Sequence, residues 1–177
     1  VSAIMIEDKI GLKKNSLFKD QSGAKQDTIK DFCKKIELIK KVRNSKDFLI
    51  GARIESFILG KGLKDGLKRA EAYSKAGADL ILIHSKENTP KEIFTFSKIF
   101  NKSKSKKPLV SVPSTYSKTT ESQLIKNGFQ IVIYANHMLR AAYPAMQNAA
   151  KNILKNQRSY ELENKISSVS EVINLIK

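Results

Sequence analysis

An apolar run that ends abruptly in charged residues decides the fold of this chain: residues 1–16 read VSAIMIEDKIGLKKNS. The first six residues are mostly apolar and β-prone, which predicts a buried β-strand. The acid Glu7 ends this strand, and a polar, cationic loop follows it. In barrels of alternating strands and helices, functional residues lie at the carboxyl ends of the strands and on the loops that follow. The stretch therefore predicts an α/β fold with a site at the end of the first strand.

Short apolar runs alternate with longer amphipathic ones along most of the chain. The predicted strands cover residues 2–6, 48–54, 80–84, 109–112 and 130–134, and the predicted helices cover residues 27–43, 62–76, 90–100 and 119–127. We expect Asp27 to cap the first of these helices. Strands this continuously apolar are typical of a parallel sheet, whose neighbouring strands need helical crossovers. Two architectures fit this order, an open doubly wound sheet or part of an eight-stranded barrel, and no Gly-rich dinucleotide turn supports the first.

The pattern changes after residue 134. A long helix is predicted over residues 138–157, with an apolar stripe along it, and a short helix over residues 168–176. We therefore predict two parts, an α/β part over residues 1–136 and a helical segment over residues 137–177. The helix looks long for packing on one domain alone.

The net charge of +16 raises the question of nucleic-acid binding. The basic residues are almost all Lys, they are spread along the chain, and the densest run, at residues 102–107, falls in a predicted loop. No helix-turn-helix, zinc-finger or aromatic RNA-binding pattern accompanies them. A solvated basic surface explains the composition better, and a polyanion-binding module stays the weaker alternative.

The remaining bulk features are those of one globular domain. The chain has 177 residues, and no apolar run approaches the roughly 18 residues of a membrane span. The single cysteine, Cys33, allows no internal disulfide and fits a reducing compartment. No initiator Met precedes Val1, so we expect this chain to be the later part of a longer protein.

Two more polar residues interrupt or end apolar strands. Arg53 lies in the run from Leu49 to Glu55, where an unpaired arginine is costly, so it either pairs internally with Glu55 or binds an anion, or does both. His84 ends the next strand, where it is either a structural residue or an anion donor.

The spacing Glu-Asp-Lys, five residues, then Asn-Ser at residues 7–16 resembles the signature of the phosphoenolpyruvate mutase group in the isocitrate lyase superfamily. The resemblance extends to Ala-Arg-x-Glu at residues 52–55 and to Ile-His-Ser-Lys at residues 83–86, and it runs through nearly all of the chain. It implies a partial TIM-type (β/α)8 barrel made of strands 4 to 8, with the three earlier strands missing. It also implies a homo-oligomer, a dimer or tetramer, formed through the long helix.

The resemblance further implies an enzyme that interconverts phosphoenolpyruvate and phosphonopyruvate, a cytoplasmic step of phosphonate biosynthesis. Arg53, His84 and Asn15 would hold the phosphoryl group. Lys13, Asn15 and Ser16 would belong to a loop that closes over the substrate, in which Lys13 supplies charge and Asn15 and Ser16 donate hydrogen bonds to phosphoryl oxygens. The residue-level alternative for this loop is a polar turn held by its own side chains. Mg2+ would be the cofactor, with Glu7 holding one of its waters rather than the ion itself.

In this family the residues that bind the metal directly lie on earlier strands, so we expect the chain alone to be inactive. Phosphonopyruvate hydrolase and carbon–carbon lyase are the alternatives within the superfamily. The hydrolase branch departs from the mutase pattern near Asn15, and the lyases carry a cysteine-containing loop. No cysteine occurs between Glu7 and Asp31.

Overall fold

A computed structural model describes residues 1–11 and 14–176 of the chain. These residues form two compact units, Val1–Tyr134 and Ala135–Lys177. The first unit is an α/β structure, and the second is helical.

The first unit is built on a parallel sheet of five strands. Their order, β1-β4-β5-β6-β7, follows the chain, and every neighbouring pair is parallel. The strands are β1 (Ala3–Glu7), β4 (Leu49–Ile54), β5 (Leu80–Ile83), β6 (Leu109–Ser111) and β7 (Ile131–Val132). The helices between them are α1 (Ile29–Val42), α2 (Gly62–Ala76), α3 (Lys91–Phe100) and α4 (Glu121–Lys126). The predicted alternation of five strands and four helices is confirmed.

The helices pack on one face of the sheet and form the main core. Ile50, Ala52 and Ile54 of β4 contribute alternate side chains to this core, together with large side chains from α1, α2 and α3. Alternate residues of a strand point to opposite faces. A smaller cluster on the other face contains Leu80 and Leu82 of β5 with Val110 and Val112. That second face is the one to which Arg53 belongs.

The ends of two helices illustrate how local residues set their limits. Thr28, and not Asp27, caps α1, because its hydroxyl accepts the Asp31 N–H at 3.1 Å, so the predicted cap is wrong. The Asp27 carboxylate instead accepts a hydrogen bond from Lys35 at 2.6 Å. At the carboxyl end of α2, Gly77 has φ of 116°, a left-handed conformation that favours glycine.

A two-stranded antiparallel ribbon adjoins the end of β1. Its strands are β2 (Lys9–Ile10) and β3 (Lys25–Gln26), with Lys9 opposite Gln26. The ribbon joins the two ends of the segment that follows β1. The sequence did not predict it, because strands of two residues leave no periodic pattern.

The second unit consists of α5 (His137–Asn156), a 3-10 turn (Tyr160–Leu162) and α6 (Val169–Asn174). Within this unit α5 buries none of its residues, and Met138, Leu139 and Leu154 are largely exposed. Pro144 lies inside α5, where it removes one backbone hydrogen bond. None of the helices in the described residues combines the length and hydropathy that crossing a bilayer requires.

Candidate functional site

The carboxyl ends of β1 and β4 place a carboxylate beside a guanidinium group. Glu7 is paired in register with Arg53, and the Arg53 Nε lies 3.5 Å from Glu7 Oε2. A cavity of about 560 Å3 at this place is lined by both residues together with apolar side chains of β1 and α1. The charged pair therefore borders an open space large enough for a small molecule.

Arg53 also pairs with Glu55, two residues further along the chain. The Arg53 Nε donates to Glu55 Oε1 at 2.7 Å, and Glu55 is fully buried. Burial alone raises the pKa of Glu55, but the Arg53 charge and hydrogen bonds from Ser16 and Arg53 outweigh it, so the pKa lies below its ordinary value. Glu55 is thus an anion at neutral pH. The internal ion pair considered from the sequence is present, and Arg53 remains partly exposed.

The segment after β1 reaches this pair through Ser16. The Ser16 hydroxyl accepts from Arg53 Nη2 at 2.8 Å and from Lys9 Nζ at 3.0 Å, and it donates to Glu55 Oε2. A hydroxyl has one donor and two acceptor positions, so these three bonds use all of them. In this arrangement Ser16 organises Arg53 and Glu55, and its predicted contact with a phosphoryl group stays a prediction.

Asn15 is exposed beside Ser16. Its Oδ1 accepts the Leu17 N–H at 2.9 Å, and its backbone carbonyl accepts the Phe18 N–H at 3.1 Å. These bonds form the local turn that asparagine commonly makes. The proposed hydrogen bond from Asn15 to substrate therefore stays a prediction, and Lys13 lies outside the described residues.

His84 directly follows β5 on the same face of the sheet as Arg53. Arg53 lies opposite Leu82 in the parallel register, and His84 is two residues beyond Leu82. The imidazole is 4% exposed. Its Nδ1 is buried and has no hydrogen-bond partner among residues 1–11 and 14–176. The structure thus brings Arg53 and His84 together, with the Asn15–Ser16 turn next to Arg53.

Burial and nearby positive charge keep His84 neutral at pH 7. Burial, then the positive charge of Arg53, lower its pKa to about 4; Glu55 opposes them with a smaller effect, and Lys9 adds a still smaller lowering. A neutral imidazole carries one N–H and one free lone pair. At pH 7 His84 can therefore donate one hydrogen bond to an anion without adding a charge.

A buried polar network centred on Asp8 contacts the backbone of Glu55, and the sequence did not reveal it. The Asp8 carboxylate accepts hydrogen bonds from Glu55 N at 3.0 Å, Gln26 Nε2 at 2.8 Å, Tyr73 OH at 2.8 Å and Arg69 Nη1 at 3.2 Å. Burial is the largest influence on Asp8 and raises its pKa despite these bonds. The network fixes the backbone of Glu55. Its one visible signal is Arg69 within the amphipathic helix α2, four residues before Tyr73.

The described residues do not form a direct metal site. Among them, no group of three or more His, Cys, Asp or Glu side chains is arranged to hold a metal ion. The Glu7 carboxylate lies near Arg53 instead. These residues therefore do not fit direct coordination of Mg2+, and the outer position expected for Glu7 stays a prediction.

Comparisons with known proteins place this geometry in a family. The phosphoenolpyruvate phosphomutase family model matches residues 1–154. The chain is 39% identical over 175 residues to a phosphoenolpyruvate phosphomutase of Tetrahymena pyriformis, a match that covers 99% of this chain and 57% of the relative.

Two solved structures resemble the fold. One is a phosphoenolpyruvate phosphomutase from Streptomyces platensis subsp. rosaceus, with a TM-score of 0.90 and 35% identity over 99% of this chain and 59% of that one. The other is a phosphonopyruvate hydrolase in complex with oxalate and Mg++, with a TM-score of 0.85 and 36% identity over 98% of this chain and 58% of that one. The chain thus spans rather more than half the length of these relatives. It belongs to the phosphoenolpyruvate phosphomutase family.

Proposed function

We propose that the protein containing this chain interconverts phosphoenolpyruvate and phosphonopyruvate, moving phosphorus between an enol oxygen and a carbon. The observation that carries this proposal is that Arg53 and a buried, neutral His84 lie on one face of the sheet, at neighbouring strand ends. Arginine presents a planar fork that suits phosphoryl oxygens, and the imidazole adds one uncharged donor. Family membership supports the same reading.

The reaction requires a phosphoryl group to be held while the pyruvate enolate changes its attacking atom. Transfer through a loose, metaphosphate-like transition state depends on positioning and charge stabilisation more than on covalent chemistry. In the proposal Arg53 and His84 hold the phosphoryl oxygens, and Asn15 adds a hydrogen bond from the loop. The unpartnered Nδ1 of His84 leaves one imidazole nitrogen available for this purpose.

The loop containing Lys13, Asn15 and Ser16 excludes water in this proposal. Water would otherwise capture the transferred group and release phosphate. The contact from Ser16 to Arg53 supports this role, because it brings the loop against the residue that would bind the phosphoryl group.

Mg2+ is the proposed cofactor, as the Mg++ in the related hydrolase structure suggests. It would supply positive charge to the oxygens of the pyruvyl part. Glu7 would hold a water of the ion, and the direct ligands would come from outside this chain. The chain alone is therefore proposed to be inactive.

The proposed architecture of the whole protein is a (β/α)8 barrel in which this sheet provides strands 4 to 8. The greater length of the relatives and the TM-score of 0.90 support it. A dimer or tetramer formed through α5 is also proposed, because that helix exposes Met138, Leu139 and Leu154. A cytoplasmic setting is proposed as well, consistent with the single cysteine.

Phosphonopyruvate hydrolase is the second candidate function. The identity to the solved hydrolase, 36%, is as high as the 35% to the solved mutase, so overall similarity does not separate them. Asn15 favours the mutase, because the hydrolase branch differs in this loop. A carbon–carbon lyase is less well supported, because no cysteine occurs between Glu7 and Asp31. A polyanion-binding module is also less well supported, because it would not need Arg53.

Phosphorus NMR distinguishes these candidates. The full-length protein is incubated with Mg2+ and phosphonopyruvate, and the phosphorus signals are followed with time. Appearance of phosphoenolpyruvate supports the mutase. Release of phosphate with pyruvate supports the hydrolase, and an unchanged substrate signal contradicts both.

A further inference from the structure

Lys9 is a buried cation whose position the proposed chemistry does not explain. It lies in β2, and its side chain is 2% exposed. A lysine is almost never fully buried unless its ammonium group is paired and hydrogen-bonded. The hydrogen-bond and ion-pair partners of the Lys9 ammonium group therefore indicate its role.

Three of its oxygen partners belong to the segment 14–21. The Lys9 Nζ donates to the Lys14 carbonyl at 2.8 Å, to Ser16 Oγ at 3.0 Å and, at 3.5 Å, to Gln21 Oε1. Lys14 and Gln21 lie at opposite ends of this segment. One ammonium group thus holds both ends of it, a geometry that the three donors of lysine allow.

The fourth partner connects the segment to the sheet. The Lys9 Nζ lies 3.5 Å from Glu55 Oε2, and Glu55 is also the partner of Arg53. Ser16 contacts both cations, since its hydroxyl accepts from Lys9 and from Arg53. Removing Lys9 would therefore loosen the segment and alter the groups that orient Arg53.

A second set of bonds shows that the segment is otherwise held mainly by itself. Gln21 Nε2 donates to the carbonyls of Asn15 and Phe18, and the Lys14 ammonium group reaches Asp20 and Ser22, all within residues 14–22. These bonds shape the segment but do not attach it to the sheet. Attachment to the sheet runs through Lys9 and through Ser16, whose hydroxyl also bonds Arg53 and Glu55.

We propose that Lys9 is a positioning residue that tethers residues 14–21 to the Arg53–Glu55 pair and so keeps water from the transferred phosphoryl group. The part concerning water rests on the proposed mutase function, whereas the tether rests on the contacts alone. Lys9 acts through Ser16 and Glu55 and is not itself a catalytic residue.

The tether is tested by hydrogen–deuterium exchange on the full-length protein. Leu17, Phe18 and Ala24 have hydrogen-bonded amides in or beside the segment, so their exchange reports its opening. In Lys9→Met we expect these amides to exchange about tenfold faster, equivalent to about 1.4 kcal/mol. Lys19→Met is the matched control, because Lys19 is exposed on the same segment and makes no hydrogen bond or ion pair with the described residues.

Lys9→Arg is a second variant, which tests the tether if Lys9→Met does not fold. It keeps a positive charge beside Glu55, but the rigid fork of arginine does not reproduce the three lysine bonds. We expect faster exchange of the same amides with an unfolding temperature near that of the wild type. Unchanged exchange in the folded Lys9 variants would overturn the tether.

Product partition tests the consequence for chemistry. Phosphorus NMR with phosphonopyruvate should show a larger ratio of free phosphate to phosphoenolpyruvate in Lys9→Met than in the wild type and in Lys19→Met. An unchanged ratio together with faster exchange would overturn the water-exclusion part while leaving the tether. If the wild type forms no phosphoenolpyruvate, the proposed function fails, and the exchange result still decides the tether.

Discussion

The neutral state of His84 predicts a measurable dependence of stability on pH. Its pKa falls from an ordinary 6.5 to about 4 because the imidazole is buried and lies near Arg53 and Lys9. The folded protein therefore binds fewer protons at His84 than the unfolded chain between these two pH values. Folding is favoured above pH 6.5, and this contribution is lost as the pH falls towards 4.

The size of the effect follows from the same two values. A shift from 6.5 to about 4 corresponds to about 3 kcal/mol, at about 1.4 kcal/mol for each pH unit. The group is 4% exposed, so solvent screening reduces this figure little. Glu55 contributes in the same direction as the pH falls, because its pKa lies below the ordinary value of 4.5, but its contribution declines mainly below that pH. Asp8 acts in the opposite direction, because burial raises its pKa, so the comparison with a variant that lacks the imidazole isolates the contribution of His84.

The assay is urea unfolding of the full-length wild type and of His84→Gln between pH 7.5 and 4.5. We expect the wild type to lose unfolding free energy steadily below pH 6.5 and His84→Gln to lose much less. NMR titration of the imidazole gives an independent value of the pKa. A titration near 6.5, or parallel pH curves for the two proteins, would refute the reasoning.

Two further substitutions separate structural from functional roles. Asp8→Asn replaces an acceptor of four hydrogen bonds by an amide, so we expect the free energy of unfolding to fall by about 1–3 kcal/mol, since Arg69 keeps its ion pair with Asp65. The exposed change Asp47→Asn should have little effect; urea unfolding compares the two variants, and equal stabilities would contradict the role of Asp8. Asn15→Ala should lower turnover by about a hundredfold with a far smaller loss of stability, because Asn15 is exposed and its proposed donor acts on substrate. Equal loss of turnover and stability would show that Asn15 only shapes its turn.

Much of the sheet could be predicted from the sequence, because continuous apolar runs mark strands. The predicted burial of the first strand is wrong in this structure, because β1 lies at the edge of the sheet and is exposed or half-exposed along its length. The limits of elements were harder to predict. Asp27 is a good cap by residue type, but Lys35 engages its carboxylate and Thr28 takes the capping position. The ribbon of β2 and β3 could not be predicted, because strands of two residues leave no periodic pattern.

Some residues of the candidate site could also be predicted from the sequence, and others could not. Arg53 and His84 stand out in the sequence because each lies in or directly after an apolar strand. Burying such a polar side chain costs free energy unless it is paired or binds a ligand. The network around Asp8 does not stand out, since Arg69 and Tyr73 lie 61 and 65 residues from it. Similarly, the contact between Ser16 and Arg53 depends on how the segment after β1 folds back, which no local pattern encodes.

The central claim is that Arg53 and His84 hold one phosphoryl group between them. A crystal structure of the full-length protein with Mg2+ and phosphonopyruvate tests it most directly. The account predicts phosphonate oxygens within hydrogen-bond distance of the Arg53 guanidinium and of one imidazole nitrogen of His84. A phosphonate bound elsewhere, with Arg53 still engaged by Glu7 and Glu55 alone, would contradict it.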